Sequence, residues 1–152
     1  MNSLIIQCNI KGLNNMAQHW LAYHQAHSEE NPFPYAALEQ SIVYSKEEFR
    51  LNAGDIIWMI QGEKISNKET QYTLVDCFTV HAKTTPPTMV SDDFMYAYTG
   101  KKSLLTLPIE WNKSNEDWQL IHQKFLTKRP GLKKATSLEA TALKNISGIS
   151  KF

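Results

Sequence analysis

Gly54-Asp55, followed at once by Ile56-Ile57-Trp58-Met59-Ile60, is the feature that most confines this chain. A tight turn feeding five large apolar residues, three of them β-branched, predicts a strand with its start pinned. After a polar stretch from Gln61 to Gln71, residues Tyr72 to His81 again have the β-branched and aromatic content of a strand, so the two should form a hairpin. Side chains alternate along a strand, which puts Tyr72, Leu74, Asp76, Phe78 and Val80 on one face and Thr73, Val75, Cys77, Thr79 and His81 on the other. Both faces are partly apolar. The hairpin is therefore expected at the centre of a sheet.

Around it the other elements are shorter. Ser3 to Cys8 reads as a first strand, and Leu13, Met16, Ala17, Trp20, Leu21 and His24 recur at the spacing of one helix face. Ser28 to Pro34 reads as a loop, Ser41 to Ser45 as a brief strand, Phe94, Tyr96 and Tyr98 as a third strand of the sheet, and Leu104 to Ile109 as a fourth. Ser114-Asn115-Glu116-Asp117 has the start of a capping box ahead of Trp118, Ile121, Phe125 and Leu126, and a last helix is expected over Leu138 to Asn145. This order predicts an α+β fold: one domain over residues 1–152, with a mostly antiparallel, curled sheet or small barrel flanked by helices.

Several function classes are excluded on chemistry. Gly100-Lys101-Lys102-Ser103 lacks the earlier glycine and the spacing of lysine and hydroxyl residue that a phosphate-binding loop requires. His27-Ser28-Glu29 has no Pro-Cys-x-x-Cys partner, so zinc deaminase chemistry is not expected. His19, His24 and His27 lie on the predicted helix without a further ligand to complete a metal site, and neither a metal nor another cofactor is expected. Cys77 and His81 stand four residues apart on one strand, roughly 13 Å by strand rise, too far for direct proton transfer. Cys8 and Cys77 sit in apolar surroundings and read as reduced thiols, no apolar run is long enough to cross a bilayer, and a cytoplasmic protein without a membrane partner is expected.

Charge is divided along the chain. Residues 1–100 carry six basic and eleven acidic side chains, a net −5, whereas residues 101–152 carry ten and four, a net +6. Lys124, Lys128, Arg129, Lys133 and Lys134 form the densest basic group and are candidates for phosphate binding. The same residues also suit a solvated helix end.

The Gly-Asp turn, the apolar strand behind it, the second strand ending near Pro86-Pro87, and helices before and after resemble the core of the PUA-like superfamily, in particular its EVE, YTH and ASCH branches, over about residues 40–110. The resemblance implies a nucleic-acid-binding domain, DNA in preference to RNA, that takes a flipped and in some branches methylated base into an aromatic pocket. It also implies a reader of the kind found in modification-dependent restriction proteins, working with a nuclease partner or fused domain. Aromatic faces replace the stacking that an extruded base loses, at about 1–3 kcal/mol per base.

Trp58 matches the strand position after the turn and is the first candidate wall. Asp76 is a candidate acceptor for an exocyclic amino group, Tyr72 and Phe78 share its predicted face, and Trp20 and Trp111 are candidates to complete the pocket. Each has a plainer role as a core ring, or for Asp76 a salt bridge. On this reading the domain is non-catalytic. The alternatives are a small ASCH-like hydrolase or ribonuclease using His24, His27 or His81 with nearby lysines, and a protein-interaction domain whose basic tail meets an acidic partner.

Overall fold

A computed structural model describes residues 17–25, 41–45, 47–84, 95–101, 103–124 and 131–152. Among the described residues seven strands form one strongly curled sheet: β1 (His19–Gln25), β2 (Ser41–Ser45), β3 (Ile56–Ser66), β4 (Glu69–Thr84), β5 (Tyr96–Gly100), β6 (Ile109–Glu110) and β7 (Gly131–Lys134). Among the described residues two helices, α1 (Glu116–Gln123) and α2 (Ser137–Ser147), accompany them. The strand order is β2-β5-β4-β3-β1-β7, with β6 also on β4. Among the described strands all pairings are antiparallel except β1 with β3. The α+β class and the curled, mostly antiparallel sheet agree with expectation.

The expected hairpin is central and longer than its apolar segments suggest, turning only at Asn67–Lys68. Ile56 to Ile60 are buried on both faces because the sheet separates two cores. Ile56, Trp58 and Ile60 pack on the helix side with Leu21, Leu74, Cys77, Trp118, Ile121 and Leu143. Ile57 and Met59 pack on the opposite side with Trp20, Val43, Phe78, Val80 and Tyr98.

Strict alternation fails in β4. Met59 pairs with Asp76 but Ile60 pairs with Leu74, so Val75 is the extra residue of a β-bulge. Cross-strand partners share a face. Tyr72 and Leu74 therefore lie on the helix side, as does Cys77, while Phe78 and Val80 lie on the other. The expected common face of Tyr72, Leu74, Asp76, Phe78 and Val80 does not exist.

The first predicted helix is corrected as well. His19 to Gln25 is a strand running parallel to β3, with Leu21 opposite Trp58. Its near-continuous apolar content belongs to a strand covered on both faces, a pattern that also fits a helical stripe. The predicted strand Ser3–Cys8, the loop Ser28–Pro34 and residue Phe94 fall outside the described residues. The expected strand at Leu104–Ile109 is reduced to Ile109–Glu110, with Leu104 and Leu107 exposed.

α1 starts one residue later than the Ser114 motif implies. Asn115 is its cap, accepting from the Trp118 N–H at 3.1 Å. Short Gly131–Lys134, not expected as a strand, pairs with β1 and closes that end of the sheet. α2 has a complete capping box between Thr136 and Glu139 and ends at Gly148 in the left-handed conformation.

Candidate functional site

The Gly-Asp turn is a structural fastening. Gly54 has φ +96, which a side chain rarely tolerates. Asp55 is buried, and its carboxylate accepts from the backbone N–H of Asn52 at 3.0 Å, from that of Gln18 at 3.1 Å and from Trp20 Nε1 at 3.3 Å. These bonds lash the start of β1 to the turn before β3. Trp20 is thereby committed to Asp55 and lies edge-on to Phe49, so it does not line an open pocket.

Trp58 is also not a solvent-facing wall. Its exposure is 0%, and its indole N–H donates to His19 Nδ1 at 2.9 Å. Phe152 covers the pair, edge-on to His19 at 5.4 Å and to Trp58 at 5.8 Å between centroids. Burial and the nearby Lys144 lower the His19 pKa, against the opposite pull of Asp55. Phe78 is likewise fully buried, on the side away from Trp58.

Tyr72 and Trp111 do come together, as the aromatic reading expects, but in a filled cluster. Their centroids are 5.6 Å apart at 61°, and Trp111 meets Trp118 at 4.9 Å and His122 at 5.0 Å. A base inserted between two rings needs parallel planes about 7 Å apart, twice the contact distance of carbon atoms. Tilted rings at these separations leave no such slot; they pin α1 to the hairpin.

Asp76 is different. The bulge sets it opposite Met59, beside Ser41 of β2 and Ser103 of the loop after β5, with 3% exposure. Its Oδ1 has no hydrogen-bond partner among the described residues. Burial raises the carboxyl pKa above its ordinary value, although the hydroxyls of Ser103 and Ser41 and the N–H of Cys77 favour the ionised form. An acceptor in this position can bind a donor brought by a ligand, and the two serines can orient it. Close strand approach frames the place: a Cβ on Gly100 would run into the Thr79 carbonyl and the Phe78 ring. Sequence reasoning found Asp76 but missed Ser41 and Ser103, which arrive from separate segments and have no shared spacing.

The basic group is only partly free. Lys124 pairs with Glu139 at 2.7 Å, and Lys133 donates to the Lys124 carbonyl at 2.9 Å. Lys134 is exposed on β7, while Lys128 and Arg129 lie outside the described residues.

For the hydrolytic alternative, Cys77 is buried and its thiol is pushed far up by burial and then by Asp76, which withholds the thiolate nucleophile. His81 is exposed on β4, the His24 side chain and His27 lie outside the described residues, and no three metal-ligating side chains cluster among the described residues. No described helix is long and apolar enough to cross a membrane. Set against family models, curated proteins and solved structures, the chain matches none of them.

Proposed function

We propose that the protein is a nucleic-acid-binding domain of PUA-like architecture that reads an extruded, methylated or plain base, with Asp76 rather than Trp58 as the reading group. The observation that carries this reading is the bare Oδ1 of a carboxyl that is 3% exposed. A buried acceptor without a donor costs roughly 1–3 kcal/mol. The exocyclic amino group of cytosine or adenine would supply that donor. The curled sheet with flanking helices is compatible with the proposed architecture, and Lys134 can contact phosphate from the β7 edge.

Fluorescence anisotropy with plain, cytosine-methylated and adenine-methylated DNA, and the matching RNA, tests the proposal. Asp76→Asn exchanges one acceptor oxygen for an amide donor and should remove preference among bases while leaving salt-dependent background binding in place. Equal affinity of the native protein for every oligonucleotide, unchanged in the variant, would refute base reading.

A further inference from the structure

Residues 101–109, Lys-Lys-Ser-Leu-Leu-Thr-Leu-Pro-Ile, carry two lysines and no acid. The segment is fastened to β4 at two places. The Leu104 N–H donates to the Cys77 carbonyl at 2.7 Å, and Ile109 pairs with Leu74. Three residue steps, about 10 Å of strand, separate Cys77 from Leu74, whereas five steps of chain, enough for about 17 Å, lead from Leu104 to Ile109. The surplus arches away from the strand edge. The stretch of β4 that it spans is Val75 and Asp76, the bulge and the buried acid.

We propose that Leu107, near the crest of this arch, is a wedge for duplex nucleic acid: it enters the base stack at the step from which a base has been drawn toward Asp76, with Lys101 on a neighbouring phosphate. The inference rests on base reading at Asp76 and supplies what that reading lacks on a duplex, a group to occupy the emptied step.

A base drawn from a duplex leaves an apolar gap between the rings on either side, and an aliphatic side chain placed there covers the ring faces that water would otherwise meet. Leu107 is 73% exposed and Leu104 39%, while Leu105 between them packs against the helix-side core and holds the arch down. Pro108 fixes its own φ and confines Leu107 to extended backbone, so the exposed side chain is carried on a stiffened support. Wedge and reading group share that support. Ser103, the neighbour of Leu104, stands beside Asp76 and accepts from the Cys77 N–H at 3.4 Å. Lys101 is exposed at the start of the arch and meets phosphate with the right sign of charge. An anionic lipid surface also accepts leucine beside lysine, but it gives no role to the bare Oδ1 of Asp76.

The test uses single-stranded and duplex DNA of one sequence, with 2-aminopurine beside one central cytosine or adenine. On a single strand the central base has no partner to leave, so Leu107→Ala should bind as the native chain does. On the duplex it should bind on the order of tenfold more weakly, the loss of one buried leucine, and should raise 2-aminopurine fluorescence less at saturation. Leu107→Phe should restore both readouts. Leu107 is exposed, so Tm stays near native in either variant. The single-stranded form tests the reading beneath the wedge: exchanging the central base for thymine should weaken native binding, and indifference there overturns base reading together with the wedge. A native protein that keeps this preference while Leu107→Ala weakens both DNA forms equally, or neither, overturns the wedge alone. Binding to phosphatidylserine–phosphatidylcholine vesicles that Leu107→Ala abolishes, with duplex binding untouched, overturns it in favour of a membrane surface.

Discussion

Trp58 gives its indole proton to His19 Nδ1 across 2.9 Å, and this one bond makes the stability of the β1–β3 pairing dependent on the charge of an imidazole. Protonation of His19 would replace the acceptor with a second donor. Burial, then Lys144, already depress its pKa below 6.5. Between the depressed folded value and 6.5 the unfolded chain binds more protons, so stability falls as pH drops from about 6.5 and levels off below the folded pKa. Thermal melts between about pH 8 and pH 5 should show that decline. His19→Gln, whose amide oxygen can accept from the indole, should flatten the difference, and an identical slope in both proteins would remove His19 as its cause.

Asp76 has the opposite sign. Its pKa is raised above 3.8, so the folded protein holds the proton more tightly than the unfolded chain and loses stability as pH rises from about 3.8 through the folded value. Above the unfolded value, ionising this buried carboxyl opposes folding. Asp76→Asn should therefore raise Tm by roughly 2–4 °C, corresponding to about 1 kcal/mol in a domain of this size, while abolishing base preference. A gain in stability accompanied by lost binding is the signature of a site kept for function. A variant less stable than the native protein would show that the carboxylate is a structural hydrogen-bonding group.

How far the fold was legible in the chain depended on how much of each element one segment encodes. The β3–β4 hairpin was readable because the turn and both strands lie in one stretch with β-branched and aromatic repetition. β1 was not: His19-Trp20-Leu21-Ala22-Tyr23 is covered on both faces, so nothing in its pattern separates period 2 from period 3.6. β7 has too few residues for any period and exists because β1 offers it an edge. At the site, Asp76 stood out as an acid among apolar neighbours. Ser41 and Ser103 stayed hidden because the bulge at Val75, which aims Asp76 toward them, is a property of pairing register and has no composition of its own. Trp58 was conspicuous for its neighbours in sequence, but it is buried among residues far from it along the chain, Leu21, Trp118 and Leu143 with it in the core and Phe152 edge-on to it.

Gly100 bears on both packing and the Asp76 site. It pairs with Ser41 on one side and Val80 on the other, and an added methyl would strike the fixed carbonyl of Thr79. Gly100→Ala should cost about 1–3 kcal/mol, read as a shift in the urea midpoint with an unchanged slope. Because Ser41 shares the displaced register, the variant should also weaken whatever Asp76 binds. Native stability in the variant would mean that β5 has room to move.

The basic cluster gives the last test, because Lys124 and Lys134 are built for different tasks. Lys124 is 24% exposed and bonds Glu139, itself 8% exposed, at 2.7 Å. Burial pushes the Glu139 carboxyl up, but the Lys124 bond and the Thr136 N–H and hydroxyl outweigh it and hold the pKa below 4.5. The stability this confers is present above pH 4.5 and is lost as pH falls through the folded pKa. Lys124→Ala should therefore destabilise by roughly 1.5–3 kcal/mol, since it strips a charged hydrogen bond from a mostly buried acid. Its effect on the salt dependence of DNA binding should be small, because Lys124 is already neutralised by Glu139. Lys134 is exposed on β7 and should behave in reverse: Lys134→Ala leaves Tm near native and lowers the slope of log affinity against log salt by about one. Reversed results, with Lys124 controlling the slope and Lys134 the stability, would mean that the Lys124–Glu139 pair opens on binding and that phosphate competes for its ammonium.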